Sequence, residues 1–370
     1  MDESGAPPLR TFVLKVVNRC NINCDYCYVF NGPDQSWRTI PVRMSVDVAR
    51  AAAKRIAEHV DAHRLERVDI VLHGGEPLLA GPRHLADVLQ VVCDGVGAAV
   101  GFELQTNGIL INAGWLDLFE QFDVRIGVSL DGPPTANDRH RLNHRGRAST
   151  DAVIRGIELL RSRPGLFAGI LAVVDLHDDP VEVHDYLAAL GPPIIDFNLP
   201  HATHDTPPHR TAPDEPEYGR WMSRVYDAWI GADTYTHSVR MLEDIVALSL
   251  GAHGSVESLG LAPAGIVVVE SDGSIEDVDT LKSVQQGAAV LGLDVFDHTF
   301  DQAVRHPAIQ RRLTGASALA GECRRCPLVH VCGGGYLPHR HSAARGYRNP
   351  SVFCQDLTYL IRHIQATLPA

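Results

Sequence analysis

Apolar residues come in short, β-branched runs separated by stretches with helical spacing. Six runs, over 11–17, 67–72, 100–105, 124–130, 167–174 and 194–199, are predicted as strands. Between the first two, Val48, Ala52, Ile56 and Val60 recur at every fourth position, one face of an amphipathic helix opening near Ser45. Further helices are predicted over 84–95, 115–121, 150–161 and 181–190. Alternation this regular implies parallel βα units, and strands apolar almost throughout imply cover on both faces. The expected fold is α/β, a partial (β/α)6 barrel over 9–210, with function on the loops after the strands.

Those loops carry the polar motifs. Cys20, Cys24 and Cys27 follow the first strand, and His73-Gly74-Gly75-Glu76-Pro77 the second. Gln105-Thr106-Asn107-Gly108 ends the third, and Ser129-Leu130-Asp131-Gly132 the fourth. The Pro- and His-rich PHATHDTPPHR then closes the barrel, and a helical bridge is expected over 211–255. Ile266–Val269 followed by Asp272-Gly273 predicts a hairpin, opening a cysteine-rich segment over 256–370.

Charge narrows the function classes. Among 370 residues, 33 Lys and Arg against 45 Asp and Glu give 33 − 45 = −12, which argues against nucleic acid or an anionic membrane as partner. No apolar run approaches the roughly 20 residues of a membrane span, and the first residues hold no apolar signal segment. The cytoplasm is the expected location. Positive charge gathers only over 321–350, where Arg324, Arg325, Arg340, Arg345 and Arg348 face one acid, Glu322. This segment reads as a solvated face or a surface for an acidic peptide. The eight cysteines fall in clusters unlike a disulfide framework, with Cys93 apart and read as buried packing.

Cysteine thiolates suit zinc, copper(I) or iron–sulfur clusters. The C-x3-C-x2-C spacing at Cys20, Cys24 and Cys27 lacks the fourth ligand that a closed zinc site needs, and it leaves one coordination position open. The segment resembles the radical S-adenosylmethionine (SAM) enzymes, in which three cysteines hold a [4Fe–4S] cluster whose remaining iron binds SAM. That resemblance places Tyr26 against the adenine, and Gly74, Gly75 and Glu76 along the SAM ammonium. It sets Gln105 and Asn107 among the cofactor contacts, Ser129 and Asp131 at the ribose, and Arg141 at the carboxylate. It implies a deoxyadenosyl radical that abstracts hydrogen from an unactivated C–H bond.

The tail offers four more thiols, Cys323, Cys326, Cys332 and Cys354, which fit a zinc knuckle or an iron–sulfur cluster. It resembles a SPASM domain, whose seven cysteines serve two auxiliary clusters. Here Ala262, Val278 and Tyr336 stand at the best-matching positions for one cluster's ligands, so the resemblance implies a single auxiliary [4Fe–4S] cluster on the four cysteines present. Asp279 stands where some relatives carry a catalytic acid, with Glu270 on the same hairpin. Either could serve as general base or substrate contact.

Longer segments, among them VLHGGEPLLAG, DRHRLNHRGR and CRRCPLVHVCGGGY, resemble FxsB-type peptide maturases. That implies crosslinking of a ribosomally made precursor peptide into a cyclophane, an aromatic ring carbon joined to a β-carbon. It also implies a flavodoxin- or ferredoxin-type electron donor and leader recognition by the barrel, the basic tail or a separate protein. Ether or C–N crosslinking, epimerisation and oxidation to formylglycine stay open as alternative outcomes.

Overall fold

The computed structural model describes residues 7–369. Every predicted strand forms: β1 Thr11–Val17, β2 Arg67–Gly74, β3 Ala99–Thr106, β4 Val124–Ser129, β5 Phe167–Val173 and β6 Ile194–Asn198. A two-residue β7, Ser238–Val239, follows, then β8 Ile266–Val269, β9 Ser274–Glu276 and β10 Val290–Asp294. The chain divides into two compact units. Among the described residues the first comprises 7–129, 140–168 and 264–313; the second comprises 130–139, 169–263 and 314–369.

In the first unit β1 pairs parallel with β2, β2 with β3 and β3 with β4. The helix Val46–His63 between β1 and β2 starts where predicted, with the Ser45 hydroxyl accepting from the Val48 amide at 3.1 Å. Such a cap stabilises a helix by about 1 kcal/mol. The predicted stripe Val48, Ala52, Ile56 and Val60 is buried. On the strands Phe12, Leu14, Ile70 and Leu72 are fully enclosed. Each contributes about 1.5–3 kcal/mol relative to exposure.

The 266–276 hairpin does not stand apart from these strands. β8 lies parallel to β1, Thr11 opposite Ile266 and Leu14 opposite Val269, and β9 and β10 continue antiparallel from it. This puts the loop after β9, which begins with Asp277, in the same unit as the loop after β1.

In the second unit β5 pairs parallel with β6, and β6 with β7. The predicted bridge resolves into two helices, Glu217–Ile230 and Arg240–Ser249, with β7 between them. Asp356, 2% exposed, ties the closing helix Cys354–Thr367 down: it pairs with Arg210 and accepts from the Gly219 amide at 3.0 Å. The strand order is open at both ends, as in an incomplete barrel.

Cys93 corrects one expectation. The helix Pro82–Gly95 buries Leu85, Val88, Leu89 and Val92, and Cys93 lies one position off that stripe and is exposed. The neighbouring valines suggested burial, but only the helical phase decides it.

Candidate active site

The loop after β2 rests on the loop after β1 through backbone contacts. The Gly75 amide donates to the Val17 carbonyl at 2.7 Å, and the Glu76 amide to the Arg19 carbonyl at 2.8 Å. A Cβ on Gly74 would fall 2.1 Å from the Val17 oxygen, and Gly74 sits at φ 144°, so no larger residue fits. A Cβ on Gly75 would fall 2.3 Å from the Arg19 oxygen.

Glu76 is fully buried, and both carboxylate oxygens are engaged. One accepts from Leu78 N at 3.1 Å and Thr106 Oγ1 at 2.7 Å, the other from Asn107 N at 2.8 Å. Burial pushes its pKa up. Glu76 therefore clamps the β2 loop to the end of β3, besides the expected place by the SAM ammonium. Asn107 Nδ2 in turn donates to Asn21 Oδ1 at 2.7 Å, beside Cys20. Gln105 Nε2 donates to Ser129 Oγ at 2.8 Å, and Arg141 donates to the Tyr26 hydroxyl at 2.9 Å. All of these expected cofactor contacts lie in the first unit. Asp131 belongs to the second, where it accepts from Val173 N at 3.0 Å while its own amide donates to the buried Asn137 at 3.3 Å.

The cysteines fit an iron–sulfur cluster better than a single ion. Among the described residues only His59, His63 and Asp301 bring three ligand atoms within 4.8 Å of one another. Neither cysteine set does so, whereas sulfurs around one zinc stand about 3.8 Å apart. Yet the thiols act on each other electrostatically: Cys20 responds to Cys24 and Cys27, and Cys332 to Cys354, Cys323 and Cys326. Burial pushes Cys20 and Cys332 up to about 12, so each keeps its proton until a metal replaces it. In the second unit Arg324, Arg325, Arg345 and Arg348 are exposed, while Arg340 is buried.

The two candidate acids separate. Glu270, 2% exposed, pairs with the buried Lys282, which also holds Glu276 at 2.9 Å. This triad is enclosed. Asp279 instead receives Lys15 and, at 2.9 Å, the Tyr28 hydroxyl, with His73 Nδ1 3.8 Å away. Burial alone would raise its pKa, but Lys15 and then His73 outweigh that and hold the carboxyl far below the usual carboxylate range. Burial and Lys15 lower His73 to about 4.

Lys15 and His73 were absent from the sequence-based site, although each left a trace. Lys15 is the one charge in the otherwise apolar TFVLKVV, and His73 immediately precedes the glycine pair. Their pairing follows from the register of β1 on β2, which sets Lys15 opposite His73.

Comparison with known proteins agrees with this geometry. Residues 14–187 match the Radical SAM superfamily. A serine-type anaerobic sulfatase-maturating enzyme of Klebsiella aerogenes is 28% identical over 346 residues, covering 91% of this chain and 81% of the relative. A cysteine-type anaerobic sulfatase-maturating enzyme of Clostridium novyi is 22% identical, covering 92% and 90%. Among solved structures, native anSMEcpe with bound AdoMet superposes with a TM-score of 0.81 at 20% identity, covering 98% of this chain and all of that one. Streptococcus suis SuiB bound to its precursor peptide SuiA gives 0.63 at 14% identity, covering 95% and 76%. At these identities the structures speak for the fold. The match over residues 14–187 supports a radical SAM reading of that segment, with SAM and a [4Fe–4S] cluster as cofactors.

Proposed function

We propose that this chain modifies a peptide by oxidising one side chain at its β-carbon, the outcome called formylglycine formation when the residue is serine or cysteine. The observation that carries this reading is Asp279, a carboxylate held ionised by Lys15 and Tyr28 in the unit that also holds the cysteine loop. Sulfatase-maturating relatives spanning nine-tenths of the chain support it.

Bound on Cys20, Cys24 and Cys27, the cluster and SAM supply the one-electron chemistry that takes hydrogen from an unactivated C–H bond. The protein's own part is placement and proton handling. Glu76, Gly74 and Gly75 lock the cofactor loops together, and Tyr26, Gln105, Asn107, Ser129 and Arg141 line the cofactor. Asp279 receives the proton that an oxidised side chain must release. Cys323, Cys326, Cys332 and Cys354 would hold one auxiliary cluster, which would supply a one-electron acceptor for the electron that the substrate radical gives up as Asp279 takes its proton. An electron donor of flavodoxin or ferredoxin type and a leader-binding partner complete the system.

Cyclophane crosslinking is the second reading. It is favoured by Ala262, Val278 and Tyr336 at the positions where a second auxiliary cluster would be ligated.

Mass spectrometry of peptides co-expressed with wild type, Cys24→Ala and Asp279→Asn tests both. A hydrazide-reactive aldehyde formed only by wild type is the expected result. A loss of about two hydrogens without an aldehyde, with fragments joined through a ring, would move the assignment to the crosslink. A peptide unchanged by the wild type, with SAM still cleaved, would overturn both.

A further inference from the structure

Lys15 on β1 stands opposite His73 on β2, and its ammonium joins two groups. It pairs with Asp279 Oδ2, which also accepts from the Tyr28 hydroxyl, and it lies 3.0 Å from His73 Nδ1. An ammonium only donates, so Nδ1 accepts and the neutral ring carries its proton on Nε2. Asp279 Oδ2 and His73 Nδ1 are 3.8 Å apart, too far for a hydrogen bond of their own, so the ammonium is the link between them. His73 is the member nearest solvent: its side chain is 26% exposed, against 13% for Asp279 and 3% for Lys15. Among the described residues Asp279 is the only carboxylate paired with Lys15. Lys282, the other lysine acting on Asp279, is matched by Glu270 and Glu276.

A proton taken up by Asp279 therefore removes the one charge that balances a buried ammonium, and leaving it there is costly. We propose that His73 takes the substrate's proton on from Asp279, through Lys15, and delivers it to solvent. Asp279 gives the proton to Lys15 Nζ as Lys15 gives one to His73 Nδ1. Carboxylate and ammonium are both restored, the imidazole alone gains a proton, and no electron moves. The imidazolium, repelled by Lys15, turns to its exposed side, gives that proton to water and returns with Nδ1 bare. The transfer runs downhill, since Asp279 is held far below the usual carboxylate range and His73 only at about 4. This rests on the reading of Asp279 as proton acceptor made above. Lys15 and His73 touch no reacting atom and act through it.

The leg from Lys15 to water can be measured without turnover, in unreduced holoenzyme with SAM, as exchange of ammonium protons with solvent. Lys15, Lys54 and Lys282 are the only lysines of the chain, so NMR of protein labelled with 15N-lysine shows three ammonium groups, assigned with Lys15→Arg. Lys282 is buried like Lys15 but bonded to Glu270 and Glu276, and it serves as the reference. Lys15 should exchange at least about tenfold faster than Lys282, a modest share of what a positioned base contributes. His73→Gln still accepts from the ammonium but carries no proton away, and it should slow Lys15 to the rate of Lys282. Loosened packing alone would speed exchange, so the direction separates a relay from a structural role. A wild-type Lys15 no faster than Lys282, or a rate unchanged or raised in His73→Gln, would overturn the relay. The two proposals fail separately. Slow exchange with an aldehyde still formed in co-expression removes the relay and keeps the function. Fast exchange that depends on His73, with no modified peptide, does the reverse.

Discussion

At the scale of single residues, the two buried acids on the hairpin share one cation. Lys282 lies between Glu270 and Glu276, so the triad holds one carboxylate more than it needs. Burial, against the pull of Lys282, raises Glu276 to about 7. A carboxyl whose folded-state pKa exceeds its unfolded value binds more protons folded than unfolded between the two. Stability is therefore lost as pH rises from about 4.5 towards 7. Glu276→Gln keeps the side chain's size and its place beside Lys282 and drops the surplus charge. It should match wild type at pH 5 and exceed it by about 2 kcal/mol at pH 8 in urea melts. A variant less stable than wild type at pH 8 would contradict this. The cysteine loop, Glu76 and Asp279 were legible in the sequence because their chemistry is local to a motif. Lys15 and His73 were not, because their roles need a strand register and a partner 264 residues away.

At the scale of elements, the helix Val46–His63 meets the helix Phe300–Arg305 through a cluster that looks like a metal site. His59 Nδ1 lies 2.6 Å and His63 Nε2 2.9 Å from Asp301 Oδ1. The Leu9 amide, however, donates to His59 Nε2 at 3.0 Å. That fixes the proton on Nδ1, where it serves Asp301. A metal on Nδ1 would move the proton to Nε2, against another N–H. The trio is a hydrogen-bond clamp between helices. Zinc should leave the melting temperature unchanged, and Asp301→Asn should cost about 1–2 kcal/mol in denaturant melts. A zinc-induced rise lost in Asp301→Asn would show a metal site instead. Burial, opposed by Asp301, lowers the His59 pKa, so this clamp weakens as pH falls below the unfolded value of about 6.5. Strands and helices were readable from periodicity; the hairpin was too, but not its attachment. Nothing local in IVVV says that it will lie along β1.

At the scale of the whole molecule, two sets of cysteines imply two clusters. Reconstituted protein should hold about eight iron and eight sulfide per chain, falling to about four in either Cys24→Ala or Cys354→Ala. Twelve iron atoms, or four in the wild type, would contradict the assignment. No helix among the described residues is long and apolar enough to cross a membrane.

The place of β8 has a consequence for biosynthesis. β1 leaves the ribosome well before its partner β8, which begins only at Ile266. Through roughly 250 further residues of translation, some tens of seconds at about 5–20 residues per second, the nascent chain carries an unsatisfied strand edge beside the cysteine loop. Translation arrested before residue 264 should therefore yield a product that aggregates or clings to a chaperone. The segment after β1 reaches Asp279 through Tyr28 and Gln286 through Gln35, so these contacts form only once residue 286 has been synthesised.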